Sequence, residues 1–149
     1  MVIRGSIELY EVRAVPETLP RMTDVLLAAG VLSLASSALL GWLIALHRAK
    51  PEAIAKLGIK APHRIMQLHL DQVMMGLILL AVATAFPDLP KAIAWPLLVG
   101  TILNPLGFVP LAFLPKADET LWYRGAIGVS FIATSGSLVA LAIWFLAGR

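Results

Sequence analysis

Four long apolar runs, at about 24–47, 63–86, 92–114 and 124–147, are joined by short polar connections. Each run reaches the roughly 20 residues that an α-helix needs to cross a bilayer core. Inside a bilayer no water is available to backbone N–H and C=O groups. A chain of this kind therefore spans as helices that satisfy those groups internally. The expectation is an all-α polytopic membrane protein, a four-transmembrane-helix bundle over residues 22–149. An even number of spans puts both termini on one side. Composition agrees, with 59% hydrophobic and 14% charged residues and a mean hydropathy of +0.85. Soluble domains run at about 45–50% apolar and about 25% charged.

Several function classes drop out. There is no cysteine, so disulfides, thiolate metal sites, iron–sulfur clusters and cysteine nucleophiles are excluded. The net charge of +3 is spread between apolar runs as loop anchors, with no basic stripe that would bind nucleic acid. No signal peptide is expected, because the first apolar run is too long and lacks a cleavage motif. Residues 1–21 read as an N-terminal tail. Within it, Ser6 to Val12 alternates apolar and polar residues, which suits either a short strand or a mobile segment.

The first span can be capped by Thr23 or Asp24, and it carries Ala29, Ser33, Ser37 and Gly41 at every fourth position. Such small residues let another helix approach closely. In the connection that follows, Pro51 can start a short helix and Gly58 can end it, while Pro62 opens the second span. Pro87 closes that span. The third span is interrupted by Pro96, Pro105 and Pro110, with Asn104 near mid-depth. Each internal proline removes a backbone hydrogen bond, and the break persists where protein satisfies the freed carbonyls. Trp122 and Tyr123 read as an interfacial belt before the fourth span. The 48–64 connection is the more basic flank. The positive-inside rule therefore puts it in the cytoplasm and the termini outside, by a margin of two charges. The expected location is the bacterial inner membrane.

The second span carries the chemistry. His69, Asp71 and Gln72 lie within it, and polar side chains there face a protein interior and mark a function. His69 is about 10 Å along the helix from Pro62 at 1.5 Å per residue. His63 stands six positions away, about 240° around the helix, so the two cannot share one metal ion. No HExxH motif is present, which argues against a zinc hydrolase. One deep imidazole without a deep partner fits a five-coordinate haem. It equally fits a histidine that simply bonds a neighbouring helix. Gln72 and Gly76 share the His69 face, and the glycine would let a macrocycle lie close. Met74 and Met75 are polarisable fillers for an adjacent pocket. Asp71 points about 200° from His69. It could pair with Arg64, the favoured reading, or orient a group on another helix. Asn104 could serve a pocket or stabilise the kink. For Tyr123, an interfacial belt role is weighed above that of an acid or donor.

The spacing of His69, Gly76, Pro87 and Leu98 to Gly100, with Asn104 before Gly107 and Phe108, resembles the styrene oxide isomerase family over roughly residues 62–108. That resemblance implies a trimer with a b-type haem between subunits, ligated at His69. Its ferric iron acts as a Lewis acid that opens an epoxide to a benzylic cation, and a 1,2-hydride shift then gives the carbonyl. The sequence departs from the family pattern in three places. Met75 stands where the family has asparagine, Val109 and Pro110 stand where it has tyrosine, and no aspartate precedes the segment around Asn104.

The expected function is a haem-dependent membrane isomerase acting on a small hydrophobic epoxide. Asn104 would be the polar catalytic group, with Met74, Met75 and Phe108 lining the substrate pocket. The alternatives are a non-catalytic accessory subunit, or a haem or quinone electron-transfer subunit with His47 as second ligand.

Overall fold

The structure, a computed structural model, describes residues 20–148. The tail motif at Ser6 to Val12 lies outside the described residues. Four helices are long and apolar enough to cross a membrane, at Met22–Ala49, Pro62–Ala85, Lys91–Phe113 and Leu121–Leu146. The protein is an all-α, multi-pass membrane protein.

Helix α1 is Met22–Ala49. It starts earlier than Thr23 or Asp24 would set as caps, with Arg21 at the N-cap. Asp24 sits inside the first turn and reaches back, accepting the Arg21 backbone N–H at 3.2 Å. It also pairs with the Arg21 Nε at 3.5 Å. An acidic group in the first turn favours the positive end of the helix dipole.

The connection is ordered by its own punctuation. Helix α2 is Pro51–Lys56, with proline in its first turn. Gly58 then reverses the chain at φ +78°, a conformation that costs glycine little. The backbone N–H groups of Lys60 and Ala61 donate to the Ala112 carbonyl at 2.8 and 3.0 Å. This pins the connection to the end of the third span. Ile54 of α2, Ile59, Ile65 and Ala112 form a small buried cluster, packed against Leu40, Leu43 and Ile44.

Helix α3 is Pro62–Ala85. The third span is interrupted around Gly107, two residues after Pro105, into α4, Lys91–Leu106, and α5, Phe108–Phe113, while Pro96 lies inside α4 and Pro110 inside α5 without ending either helix. The Tyr123 hydroxyl donates to the Gly107 carbonyl at 3.1 Å, so this tyrosine fastens the break as well as standing beside Trp122. Helix α6, Leu121–Leu146, completes the bundle.

The spans pack in chain order, α1 on α3, α3 on α4, and α4 on α6. Close approach is achieved with glycine at two crossings. A Cβ at Gly76 would lie 3.1 Å from the Gly30 carbonyl oxygen, and one at Gly30 would lie 3.0 Å from that of Gly76. At the second crossing, a Cβ at Gly100 would lie 2.6 Å from the Thr134 backbone nitrogen. There Ser130 Oγ donates to the Gly100 carbonyl at 3.1 Å. The main apolar core, Leu26, Leu79, Val82, Ala94, Leu97 and Leu141 among others, lies towards the end of the bundle away from α2. The cavities beside the histidines are found at the α2 end.

Candidate functional site

The α1 and α3 helices run antiparallel, and their register places Ser37 against His69. Ser37 is 1% exposed. Its carbonyl oxygen lies 2.8 Å from His69 Nδ1, and its Oγ is 2.9 Å from the same nitrogen. The hydroxyl also donates to the His69 backbone carbonyl at 3.1 Å. One assignment satisfies every group. Nδ1 carries the proton and donates it to the Ser37 carbonyl, while the serine hydroxyl spends its hydrogen on the His69 carbonyl. In the tautomer with this assignment, Nε2 is the nitrogen that carries the lone pair a metal-ligating histidine requires.

His69 lines a groove of about 290 Å³ with Gly41, Ile44, Ala45, Arg48 and Met66. A Cβ at Gly41 would sit 3.7 Å from His69 Cε1, at ordinary contact distance. A glycine here keeps the space beside the imidazole clear of any larger side chain. The groove opens towards the outside of the bundle, and most of its lining is apolar.

A second cavity, of about 270 Å³, adjoins it at the α2 end. Leu43, Ile44, Ile54, Ile59, Ile65 and Met66 supply its apolar wall, and His47, Arg48 and His63 its polar groups. Ile44, Arg48 and Met66 belong to both cavities. The Nδ1 atom of His47 is buried without a hydrogen-bond partner. An unmet buried polar atom costs about 1–3 kcal/mol.

Comparison with known proteins finds no matching family model, no matching curated protein and no matching solved structure. The chemistry of the site therefore rests on its own geometry.

Asp71 is not paired with Arg64. Its Oδ2 accepts the Asn104 amide at 2.8 Å, and Arg64 donates to Gln67 Oε1 at 2.9 Å instead. Arg64 lies three residues from Gln67, within easy reach on one helix face, while Asp71 faces α4. The alternative in which Asp71 orients a group on another helix is the one observed. Asp71 and Asn104 thus tie α3 to α4 just before the break. They stand on the other side of α3 from His69, and the two sets share no cavity within one chain.

Gly76 belongs to the helix crossing, packed on Gly30 and Leu34. Gln72 is half-buried, with its Oε1 lacking a partner. Met74 is 57% exposed on the outer surface, and Met75 and Phe108 are half-buried. None of these lines the groove at His69. Among the described residues, no group of three or more histidines or carboxylates is placed to hold a bare metal ion.

Sequence reasoning passed over four groups. Ser37 was read as one rung of a packing ladder, His47 as the second ligand of an electron-transfer alternative, Arg48 as one charge of the basic connection, and Met66 went unremarked. A signal for Ser37 was present. It is a polar member of the ladder and faces the span that carries the only deep histidine.

Proposed function

We propose that the α1/α3 groove holds a b-type haem through His69 and that the protein is a membrane isomerase opening aryl or alkyl epoxides to carbonyls. One observation carries this reading: the Ser37 carbonyl 2.8 Å from His69 Nδ1, which orients the ring and leaves Nε2 as a ligand. Carbonyl groups that hold the far nitrogen in this way raise the basicity of a ligating histidine. The rest of the groove suits a flat apolar macrocycle. Gly41 leaves room beside the ring, and Ile44, Ala45 and Met66 offer apolar surface that excludes water. When bound, a ferric haem with one open face supplies a Lewis acid for an epoxide oxygen.

The chain also argues for that open face. The level of His69 on α1 is Ser37, and His47 is ten residues further along, about 15 Å away at 1.5 Å per residue. His47 lines the adjoining cavity and not the groove at His69. A groove open to the outside is closed by another surface, which favours a homo-oligomer, a trimer if the family resemblance extends to assembly.

The test is an absorption spectrum of the detergent-purified protein, before and after dithionite, beside the His69→Ala and His63→Ala variants. The expected result is a five-coordinate Soret spectrum lost only in His69→Ala, with epoxide turnover lost alongside it. Haem retained without His69, or no haem after expression with adequate haem supply, overturns the reading.

A second reading, a non-catalytic subunit of a larger complex, is favoured by one face of α6. Gly125, Gly128 and Gly136 have open space where a Cβ would stand, and small residues of this kind accept a partner helix. Stable co-purification of a larger chain without any Soret band would select it. A six-coordinate low-spin spectrum would instead select an electron-transfer role, with the second ligand supplied by His47 or by another chain.

A further inference from the structure

The cavity at the α2 end adjoins the groove at His69 and shares Ile44, Arg48 and Met66 with it, while Leu43, His47, Ile54, Ile59 and Ile65 line this cavity alone. It combines three features that a helix-packing defect would not assemble. Its wall is apolar, from Leu43, Ile44, Ile54, Ile59 and Ile65. At its polar pole stand Arg48, exposed, and His47, whose buried Nδ1 lacks any partner. Among the described residues the one ion pair is Arg21 with Asp24, so Arg48 makes none, although Glu52 stands four residues on in α2. The flanking connection adds Lys50, Lys56 and Lys60, and no described carboxylate lines the cavity.

We propose that this cavity binds the anionic head group of an acyl amphiphile. Arg48 and His47 hold the carboxylate or phosphate, and a single acyl chain runs along Leu43, Ile54 and Ile65. A guanidinium offers the paired donors that match an oxyanion, and the imidazole of His47, which lines the same cavity, is a second polar group for it. Basic pockets between membrane helices at the cytoplasmic level are a recurrent place for anionic lipid heads. The volume of about 270 Å³ falls just under the usual range for drug-sized ligands. It admits one chain and excludes the body of a two-chain lipid. The same chemistry is offered by a free fatty acid and by a bilayer lipid that inserts one chain.

The experiment uses the full chain in phosphatidylcholine nanodiscs, with and without added phosphatidate. Decanoate is titrated by calorimetry, and retained lipid is read by native mass spectrometry. One equivalent of decanoate is expected to bind. Arg48→Gln and His47→Phe should each weaken it roughly tenfold, as befits loss of one charge-assisted hydrogen bond. Leu43→Phe, which fills the cavity and leaves every charge in place, should abolish binding, and Lys50→Gln should leave it unchanged. Retained phosphatidate that competes with decanoate identifies a bilayer lipid as the occupant, while decanoate binding without lipid retention identifies a free amphiphile. Three results overturn the proposal: no saturable binding, equal damage from Lys50→Gln and Arg48→Gln, or loss of binding when haem is loaded. In the last case the anion at Arg48 would be the cofactor's own. Haem failing to bind His69 leaves this proposal standing, so the two readings fail separately.

Discussion

The backbone carbonyl of Ser37 lies 2.8 Å from Nδ1 of His69, and the Ser37 hydroxyl caps the carbonyl of the same histidine at 3.1 Å. The main chain of one span thereby chooses the tautomer of the side chain on the next. A main-chain acceptor cannot be removed by a change of side chain. This makes the clamp divisible by mutation into a part that persists and a part that does not.

Ser37→Ala removes the hydroxyl and keeps the carbonyl. The expected outcome is a haem band retained with weakened affinity, and a stability loss of about 0.6–1.7 kcal/mol, the range for hydrogen bonds between membrane helices. Ser37→Leu, by contrast, forces a large side chain into a site that is 1% exposed. It should separate α1 from α3 and lose the haem altogether. Spectra and thermal melts of the two variants in one detergent check both expectations.

The Asp71 and Asn104 pair, at 2.8 Å, makes a second prediction. Asn104→Leu leaves a half-buried carboxyl without its partner and should cost about 1–3 kcal/mol. Asp71→Leu with Asn104→Leu should recover part of that loss, because a buried polar group is worse unpaired than absent. A double-mutant cycle by unfolding measures the coupling. If Asn104 acts only here, the Soret band is unchanged throughout. A turnover loss larger than the stability loss explains would place it at the substrate.

Glycine substitutions sort by what lies beyond them. Gly76→Ala and Gly30→Ala each bring a methyl group to about 3 Å from a facing carbonyl. Overpacking of this kind costs about 1–3 kcal/mol. Gly100→Ala should be worse, because its Cβ would meet the Thr134 backbone at 2.6 Å. Gly136→Ala has open space and should gain about 0.5–1 kcal/mol from helix propensity. Melting temperatures rank the set. A Gly136→Leu variant that changes elution volume in size exclusion would show that α6 meets another chain.

Tyr123→Phe removes the donor to the Gly107 carbonyl. The expected cost is about 0.5–1.5 kcal/mol, concentrated at the α4/α5 break. Hydrogen exchange there should rise while that of α1 and α3 stays unchanged.

The membrane class, the four spans and the interruption of the third were all legible in the sequence, because length, hydropathy and proline act locally. Helix starts were less so. Arg21 rather than Asp24 occupies the cap position, since a carboxylate can serve the first turn from inside it as well as from its edge. The Arg64 partner was misread because two residues on one helix face were weighed without the facing helix, where the Asn104 amide waits. The likeness to a haem isomerase drew attention to His69, but the residues grouped with it by spacing proved to be scattered. Gly76 is spent on a helix crossing and Met74 faces outward.

By itself the sequence determined that this chain has four membrane-spanning runs and carries one imidazole, that of His69, deep within the second. Those properties depend on runs of side chains and on the backbone's need for internal hydrogen bonds. Only the tertiary structure decided that Ser37 clamps that imidazole, that Asn104 holds Asp71, and that His47 and Arg48 line one apolar cavity. Each of these depends on the register between two helices distant in sequence. Between α1 and α3 that register is held where Gly30 and Gly76 let the backbones touch.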